Sequence, residues 1–447
     1  MFIFLAALLI RAALVVSFPT IHGGDAAARL SQPNEPVLGY QLPLPQLFVA
    51  IGKALFDDPI AVRLIFCLWG GVLVAGFAAL VAMGVGARAG AFAGLLAAFD
   101  PLLIHYSIVP YQESIAYGLL AWAFVLVGAR APVLGAVAIG AACLSRFEAW
   151  LLLPAFALAA RSRHAAVVAA LPVLGWVIWW QGLAPGGLYV LDLDPSAERL
   201  SRVAFLGRKF LEYETPVVGL LAVIGALLLM LTRPSRLALK AAGILVAVIA
   251  VVVALGHEYP PGSGLMSERM IHLPVLLALG LAAIVLDRVS AVSRAAWLAC
   301  LLLVTGLAAR NLAFEARLLR SAAADPELAL AREVARAIEA ARRPNECVSI
   351  AAPAVDPRLL MDYVAKVEAS FGDVARAKER ARALRTASPD LDRIAANLRA
   401  PAGTARREAG CPLVVLVDEL GTSEATFTLL AEVSAGPRRA RLYRIRR

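Results

Sequence analysis

The chain has 447 residues, 60% of them hydrophobic and only 17% charged, with a formal net charge of +10. That imbalance lies far outside the usual range of a soluble globular domain and excludes one as a description of the whole chain. Nor does the basic balance point to a nucleic acid, because the arginines of the first part sit in short loops between apolar runs rather than on one continuous face.

Apolar stretches near or above the roughly 18–20 residues needed to cross hydrocarbon recur from the first residue to about residue 310 and then stop. In chain order they predict spans over 1–19, 60–85, 88–105, 112–129, 131–145, 147–160, 164–183, 215–232, 239–256, 271–287 and 293–310, about eleven in all. Residues 1–19 lack the basic start and small-residue cleavage site of a secretory signal, and Arg11 interrupts their apolar run, so they are read as an uncleaved first span. The two segments flanking Ser145 are short, and read either as separate spans or as one bent or re-entrant segment. Cys67, Cys143 and Cys300 fall inside apolar runs, where a free cysteine acts as a small hydrophobe. No Cys-x-x-Cys or Cys/His spacing marks a metal site.

Cytoplasmic loops collect Lys and Arg, which makes loop charge a test of the count. With the N-terminus inside, the inner loops hold Arg88, Arg130, Arg161, Arg163, Arg233, Arg236, Lys240, Arg288 and Arg294 against one acid, Asp287. The outer loops hold Asp25, Glu35, Asp57, Asp58, Glu113, Glu148, Asp192, Asp194, Glu198, Glu212, Glu214, Glu258 and Glu268 with basic residues among them. Two outer loops are long, 20–59 and 184–214. The first contains "PLPQLFVAIGKALF", residues 43–56, whose Leu47, Phe48, Ile51, Leu55 and Phe56 follow helical spacing and predict a short helix in the membrane interface.

Beyond residue 310 the composition turns soluble. "PELALAREVARAIEAARR" opens on Asp325-Pro326, a sound helix start. There follow a strand in "ECVSIAAP", helical stretches near 356–366 and 373–386, a strand in "PLVVLVDE" and a closing "ARLYRIRR". Alternating strands and helices predict a small α/β domain with a parallel core. Cys347 and Cys411 each precede a strand, so parallel neighbours would bring them within reach of a disulfide in an oxidising compartment. The expected architecture is an all-α polytopic membrane domain over 1–310, about eleven transmembrane helices with a cytoplasmic N-terminus, followed by a small extracytoplasmic α/β domain over 311–447.

Ionisable groups at a membrane face become informative when several converge from distant spans, since each costs free energy to hold near hydrocarbon. Five outer stretches qualify: Asp25 after Gly23-Gly24, Glu113 in "HYSIVPYQES", Arg146 and Glu148 in "LSRFEAW", the acids of "YVLDLDPS", and "HEYPPGSGLMSERM" with His257, Glu258, Tyr259 and Arg269. Each has a structural alternative. Asp25 serves equally well as a helix N-cap, Glu113 as the acid that opens its span, and Arg146 and Glu148 as a simple pair or as snorkelling side chains. Asp192 and Asp194 form a DxD pair with nothing around it to support metal binding, and reads better as a solvated loop. His22, His105, His257 and His272 stand at outer span ends, where interfacial or satisfied core positions are the common outcome.

A long first outer loop with Asp25 near its start, a helical stretch within it, an acid opening the fourth span, "LSRFEAWLLLP" and "ERMIHLPVLLALGLAAI" together resemble the glycosyltransferase C superfamily, and more closely the membrane enzymes related to protein O-mannosyltransferases and lipid A aminoarabinose transferases. Arg11 in the first span fits the same pattern. The resemblance implies an integral enzyme of the cytoplasmic membrane, with its active face and C-terminal domain extracytoplasmic. It would move a sugar from a polyprenyl-phosphate donor to a hydroxyl of a glycan, lipid or protein. An acceptor hydroxyl needs a carboxylate to take its proton, and Asp25 is the candidate base. The departing lipid phosphate needs cationic donors, for which Arg146 and Arg269 lead, with Arg208 and Lys209 behind them. Displacement by a single base would invert the anomeric centre. Many relatives carry Asp-Glu at the loop motif, whereas Ala26 follows Asp25 here, which leaves Glu35 or Glu113 for the second acid. Glu113 would orient the acceptor, assist the base or hold a divalent cation with Asp25. Glu35, Glu148, His257, Glu258 and Tyr259 are placed on the acceptor side or in support, and the metal stays open.

A transporter or lipid flippase would also have about eleven spans, but should show broken helices near mid-membrane or half-chain pseudo-symmetry, and neither is legible in the sequence. A non-catalytic membrane scaffold is the third reading, in which the transmembrane acids can be neutralised without consequence.

Overall fold

The computed structural model describes residues 1–18, 29–30, 42–56, 59–183, 207–208, 210–231 and 271–323, single positions between 333 and 341, and the strands 348–351, 413–417, 427–435 and 438–445. Its helices are α1 (Phe2–Ser17), α2 (Pro43–Phe56), α3 (Pro59–Gly84), α4 (Ala87–Ala98), α5 (Pro101–Ile108), α6 (Glu113–Gly128), α7 (Pro132–Cys143), a 3-10 helix Phe147–Leu152 leading into α8 (Leu153–Ala160), α9 (Arg163–Leu183), α10 (Pro216–Leu231), α11 (His272–Ser290) and α12 (Arg294–Ala323). Helices thus stand at every expected span except 239–256, which lies outside the described residues. Three of them, within α3, α11 and α12, are long and apolar enough to cross a membrane singly, or up to four if the bent pair α4–α5 counts as one span. The chain is an integral membrane protein.

Two compact units divide the chain: Met1–Val15 with Gly39–Pro45 and Arg63–Ala316, and Val16–Leu38 with Gln46–Val62 and Arg317–Arg447. In the first unit α6 packs along α7, α7 along α9, α10 along α11, and α11 along α4. Small residues permit these approaches. A Cβ on Gly225 of α10 would lie 2.2 Å from the backbone oxygen of Leu281 on α11, so only glycine lets the two helices meet there. Cys67, Cys143 and Cys300 are free and buried, as expected of small hydrophobes.

The segment expected as one span over 88–105 is two helices bent by 59°. The break falls at Asp100-Pro101: Asp100 caps α5, accepting from Leu103 N at 2.8 Å, and Pro101 takes the first helical position, where its missing N–H costs nothing. Arg11 fills the other side of the break. Its Nη1 donates to Ala98 O at 3.1 Å and its Nε to Ser107 Oγ at 2.7 Å. At the far end of α5, Arg63 Nε donates to Ile108 O at 2.8 Å. A discontinuous span bridged by buried polar groups is not legible in the sequence.

In the second unit the residues Gln46 onward of α2 form the expected amphipathic stretch. Leu47, Ile51, Leu55 and Phe56 are exposed while Gln46, Val49 and Lys53 are buried, so the apolar stripe faces outward as an interfacial helix requires. Gln46 Nε2 donates to Arg29 O at 3.3 Å. Four strands form one sheet in the order β1-β2-β4-β3: β1 (Val348–Ala351), β2 (Leu413–Val417), β3 (Phe427–Ala435) and β4 (Arg438–Ile445). β1 and β2 are parallel, aligning Val348 with Leu413, while β4 runs antiparallel to both β2 and β3. Among the described residues the parallel pairing is therefore that of β1 with β2, and β3, which the sequence pattern does not mark, completes a hairpin with β4. The helical stretches at 356–366 and 373–386 and the pair Cys347 and Cys411 lie outside the described residues. Helix α12 continues to Ala323, past the composition change at residue 310.

Candidate functional site

Glu113 reaches its place through a tight connection. Tyr111 N donates to Val109 O at 2.7 Å, and Ala116 N to Gln112 O at 3.0 Å starts α6, leaving the Glu113 carboxylate in the first turn, where free backbone N–H groups favour negative charge. Arg146 arrives from another direction. The end of α7 closes with Arg146 N on Ala142 O at 3.0 Å, after which extended backbone at Arg146 opens the 3-10 helix that carries Glu148. Trp150 Nε1 donates back to Cys143 O at 2.8 Å and fixes that corner.

The three side chains meet. Arg146 donates through Nη1 to Glu113 Oε1, through Nη2 to Glu148 Oε1, and through Nε to Glu148 Oε2 at 2.9 Å. Glu113 is fully buried, Arg146 is 6% exposed and the Glu148 side chain 15%. Burial alone would lower the Arg146 guanidinium, but Glu148 and Glu113 more than offset it, so its basicity rises above the ordinary arginine value. The result is a guanidinium gripping one carboxyl as a fork and a second from the side.

An aromatic wall backs this cluster. One turn beyond Glu113, Tyr117 stacks on His272 at the start of α11, with centroids 5.5 Å apart and planes at 15°. Tyr106 of α5 meets the same imidazole edge-on at 4.9 Å and leans on Tyr111 at 5.1 Å. Tyr106, Tyr117 and His272 are all buried.

Of the residues singled out in the sequence, Glu113, Arg146 and Glu148 come together. The bland reading of the Arg146–Glu148 pair is thus half of what occurs, since Glu113 from a distant segment completes it. Arg208 is exposed and, among the described residues, takes no part in the cluster. Asp25, Glu35, Lys209, His257, Glu258, Tyr259 and Arg269 lie outside the described residues, as do Asp192 and Asp194. Among the described residues no group of three or more His, Cys, Asp or Glu converges as a metal site. Glu113 already accepts from Arg146, so a divalent cation there would draw its other ligands from elsewhere in the chain. Nothing in the sequence singles out Tyr117, and His272 stands there as an interfacial or core residue. The signal for His272 was its position two residues after "RM" at the head of an apolar run.

A bent span, an acid at the head of the next helix and an arginine closing the one after it are laid out on a fold shared with solved structures. ArnT from Cupriavidus metallidurans in the apo state is similar over 98% of this chain and 97% of its own, with a TM-score of 0.62 and 14% identity. The same protein bound to undecaprenyl phosphate gives a TM-score of 0.60 over the same shares. Archaeal oligosaccharyltransferase AglB from Archaeoglobus fulgidus, in complex with an inhibitory peptide and a dolichol-phosphate, is similar over 92% of this chain and 69% of its own, at a TM-score of 0.52 and 12% identity. No protein-family model and no curated protein matches the sequence. At this identity the likeness is one of fold, and at that level it bears out the resemblance read from the sequence.

Proposed function

We propose that the chain is an integral membrane glycosyltransferase that moves a sugar from a polyprenyl-phosphate donor to a hydroxyl of an extracytoplasmic glycan, lipid or protein, with inversion at the anomeric carbon. The observation that carries this is the buried Glu113–Arg146–Glu148 cluster assembled from distant segments on a fold shared almost end to end with a protein solved in complex with undecaprenyl phosphate. AglB, with dolichol-phosphate bound, supports the same donor class.

In this reading Asp25 removes the acceptor proton as the new bond forms. Glu113 orients the acceptor, and Arg146 holds Glu113 in place. A guanidinium already shared by two carboxylates is a poor primary grip for a third anion, so the leaving phosphate falls chiefly to Arg269, with Arg208 and Lys209 in support. Glu35, Glu148, His257, Glu258 and Tyr259 keep the acceptor side. The break between α4 and α5 is one feature a transporter would also have, but here Arg11 closes on Ala98 O and Asp100 caps α5.

The test supplies membranes with radiolabelled polyprenyl-phosphate sugars and follows label into glycan, lipid and protein. Asp25→Asn at matched abundance should lose transfer by roughly 10²-fold or more, the typical size of a general-base contribution; equal transfer removes Asp25 as the base. Arg269→Ala should raise the donor KM, whereas Arg146→Ala should lower kcat with the donor KM little changed. Label that crosses the membrane without changing its covalent carrier would favour transport.

A further inference from the structure

The break in the α4–α5 span holds a second group of buried ionisable residues that the proposed reaction does not use. Asp100 is fully buried and Glu214, just before α10, is 1% exposed. The two carboxyls are close enough to act on each other, and Asp100 Oδ2 and Glu214 Oε1 are buried with no hydrogen-bond donor beside them among the described residues. Glu214 is held from both sides. Its N–H donates to Phe210 O at 2.8 Å, and Thr215 Oγ1 accepts from Val218 N at 3.2 Å to cap α10.

Two carboxylates cannot bond to each other without a proton between them, because both offer only acceptors. We propose that Asp100 and Glu214 form a buried proton-binding site which, when occupied, ties the start of α10 to the break between α4 and α5. The surrounding charges fit one bound proton. Arg11 of α1 acts on both Asp100 and Glu315, and Arg310 of α12 acts on Glu214 while donating to Tyr213 O at 3.1 Å and to Asn311 Oδ1 at 2.9 Å. Glu315 of α12, fully buried, meets His105 Nδ1 of α5 at 3.0 Å. Glu212 in the same turn as Glu214 is exposed. Among the described residues, two arginines therefore face three buried carboxyls. With one proton held by the pair and His105 neutral the group is neutral, and without that proton it buries an uncompensated negative charge.

Burial, and then the neighbouring Asp100, hold the Glu214 carboxyl well above the usual carboxylate range. The folded protein thus keeps a proton that the unfolded chain releases at lower pH. The stability it confers is fully present below the usual carboxylate range and is lost as pH rises through the raised value.

The test uses the full chain in detergent or nanodiscs. Infrared spectra at neutral pH should show the carbonyl stretch of a protonated carboxyl in the wild type, lost in Glu214→Gln and in Asp100→Asn. The melting temperature of the wild type should fall by roughly 3 °C or more as pH is raised across the transition, while that of Glu214→Gln, whose amide keeps the hydrogen bond at every pH, should stay level. No such band in the wild type, or a Glu214→Gln variant that follows the wild-type course, overturns the site. Should Asp100→Asn fail to fold for want of its cap, the Glu214→Gln comparison and the wild-type band decide alone. The outcome is independent of whether the chain transfers sugar.

Discussion

Arg146 shows how much one side chain can carry in a nearly dry site. Removing it takes the guanidinium from between Glu113 and Glu148, and breaking a buried pair in this way typically costs about 3–5 kcal/mol. Arg146→Ala should therefore lower the melting temperature as well as turnover. Arg146→Lys restores the charge but not the planar fork that reaches Glu148 through Nε and Nη2 while Nη1 holds Glu113, so it should regain part of the stability and little of the activity. Glu113→Gln keeps shape and one acceptor, and should cost less stability than Arg146→Ala. Thermal unfolding beside the labelled-transfer assay separates the two effects. An Arg146→Lys variant with wild-type turnover would show that charge alone suffices there. At this scale the sequence was informative about which residues converge, because each of the three sits at a span end where a charge has no cheap reason to be. It was silent on Tyr117 and gave His272 no role, since an aromatic residue within an apolar helix leaves no pattern that distinguishes a wall from ordinary packing.

Elements fail or succeed by how closely they approach. Gly225 meets the backbone of Leu281, and a main-chain oxygen cannot swing aside as a side chain can. Gly225→Ala should force α10 and α11 apart, at a cost of roughly 1–3 kcal/mol for overpacking against about 1 kcal/mol gained in helix propensity. Gly219, on the same helix with nothing within 4 Å of its added Cβ, supplies the contrast: Gly219→Ala should be neutral or slightly stabilising. Melting curves of the two variants in one detergent measure the difference, and a Gly225→Ala protein as stable as Gly219→Ala would deny the close contact. Spans were legible because apolar length is a coarse and robust signal. The break at Asp100-Pro101 was less so: an acid and a proline inside an apolar run were averaged away by hydropathy, although the same dipeptide type was read as a helix start at Asp325-Pro326. Strand β3 escaped for a related reason, since "TFTLLAEVSA" alternates weakly and gains its order by pairing with β4.

For the whole molecule, charge at the helix ends bears on orientation in the membrane. Arg88, Asp287, Arg288 and Arg294 gather where α4 begins, α11 ends and α12 begins, and Arg88 Nε pairs with Asp287 Oδ1 at 2.8 Å. That ion pair is half exposed on its arginine side and contributes little by itself. The surplus of arginines around it is what the positive-inside rule reads, and by that rule these helix ends are expected in the cytoplasm. The proposed topology has the turn between α11 and α12 inside, and residues 184–214 and the chain after α12 outside. In a background with Cys347→Ser and Cys411→Ser, the remaining Cys67, Cys143 and Cys300 are buried and should stay silent toward an impermeant maleimide. Val292→Cys, at a position 80% exposed in that turn, should react only after the cells are opened. Ser196→Cys, in the long loop before α10, should react in intact cells. The reverse pattern would place the Glu113–Arg146–Glu148 cluster on the cytoplasmic face, where an extracytoplasmic acceptor could not reach it, and the proposed reaction would have to be abandoned even with the fold unchanged.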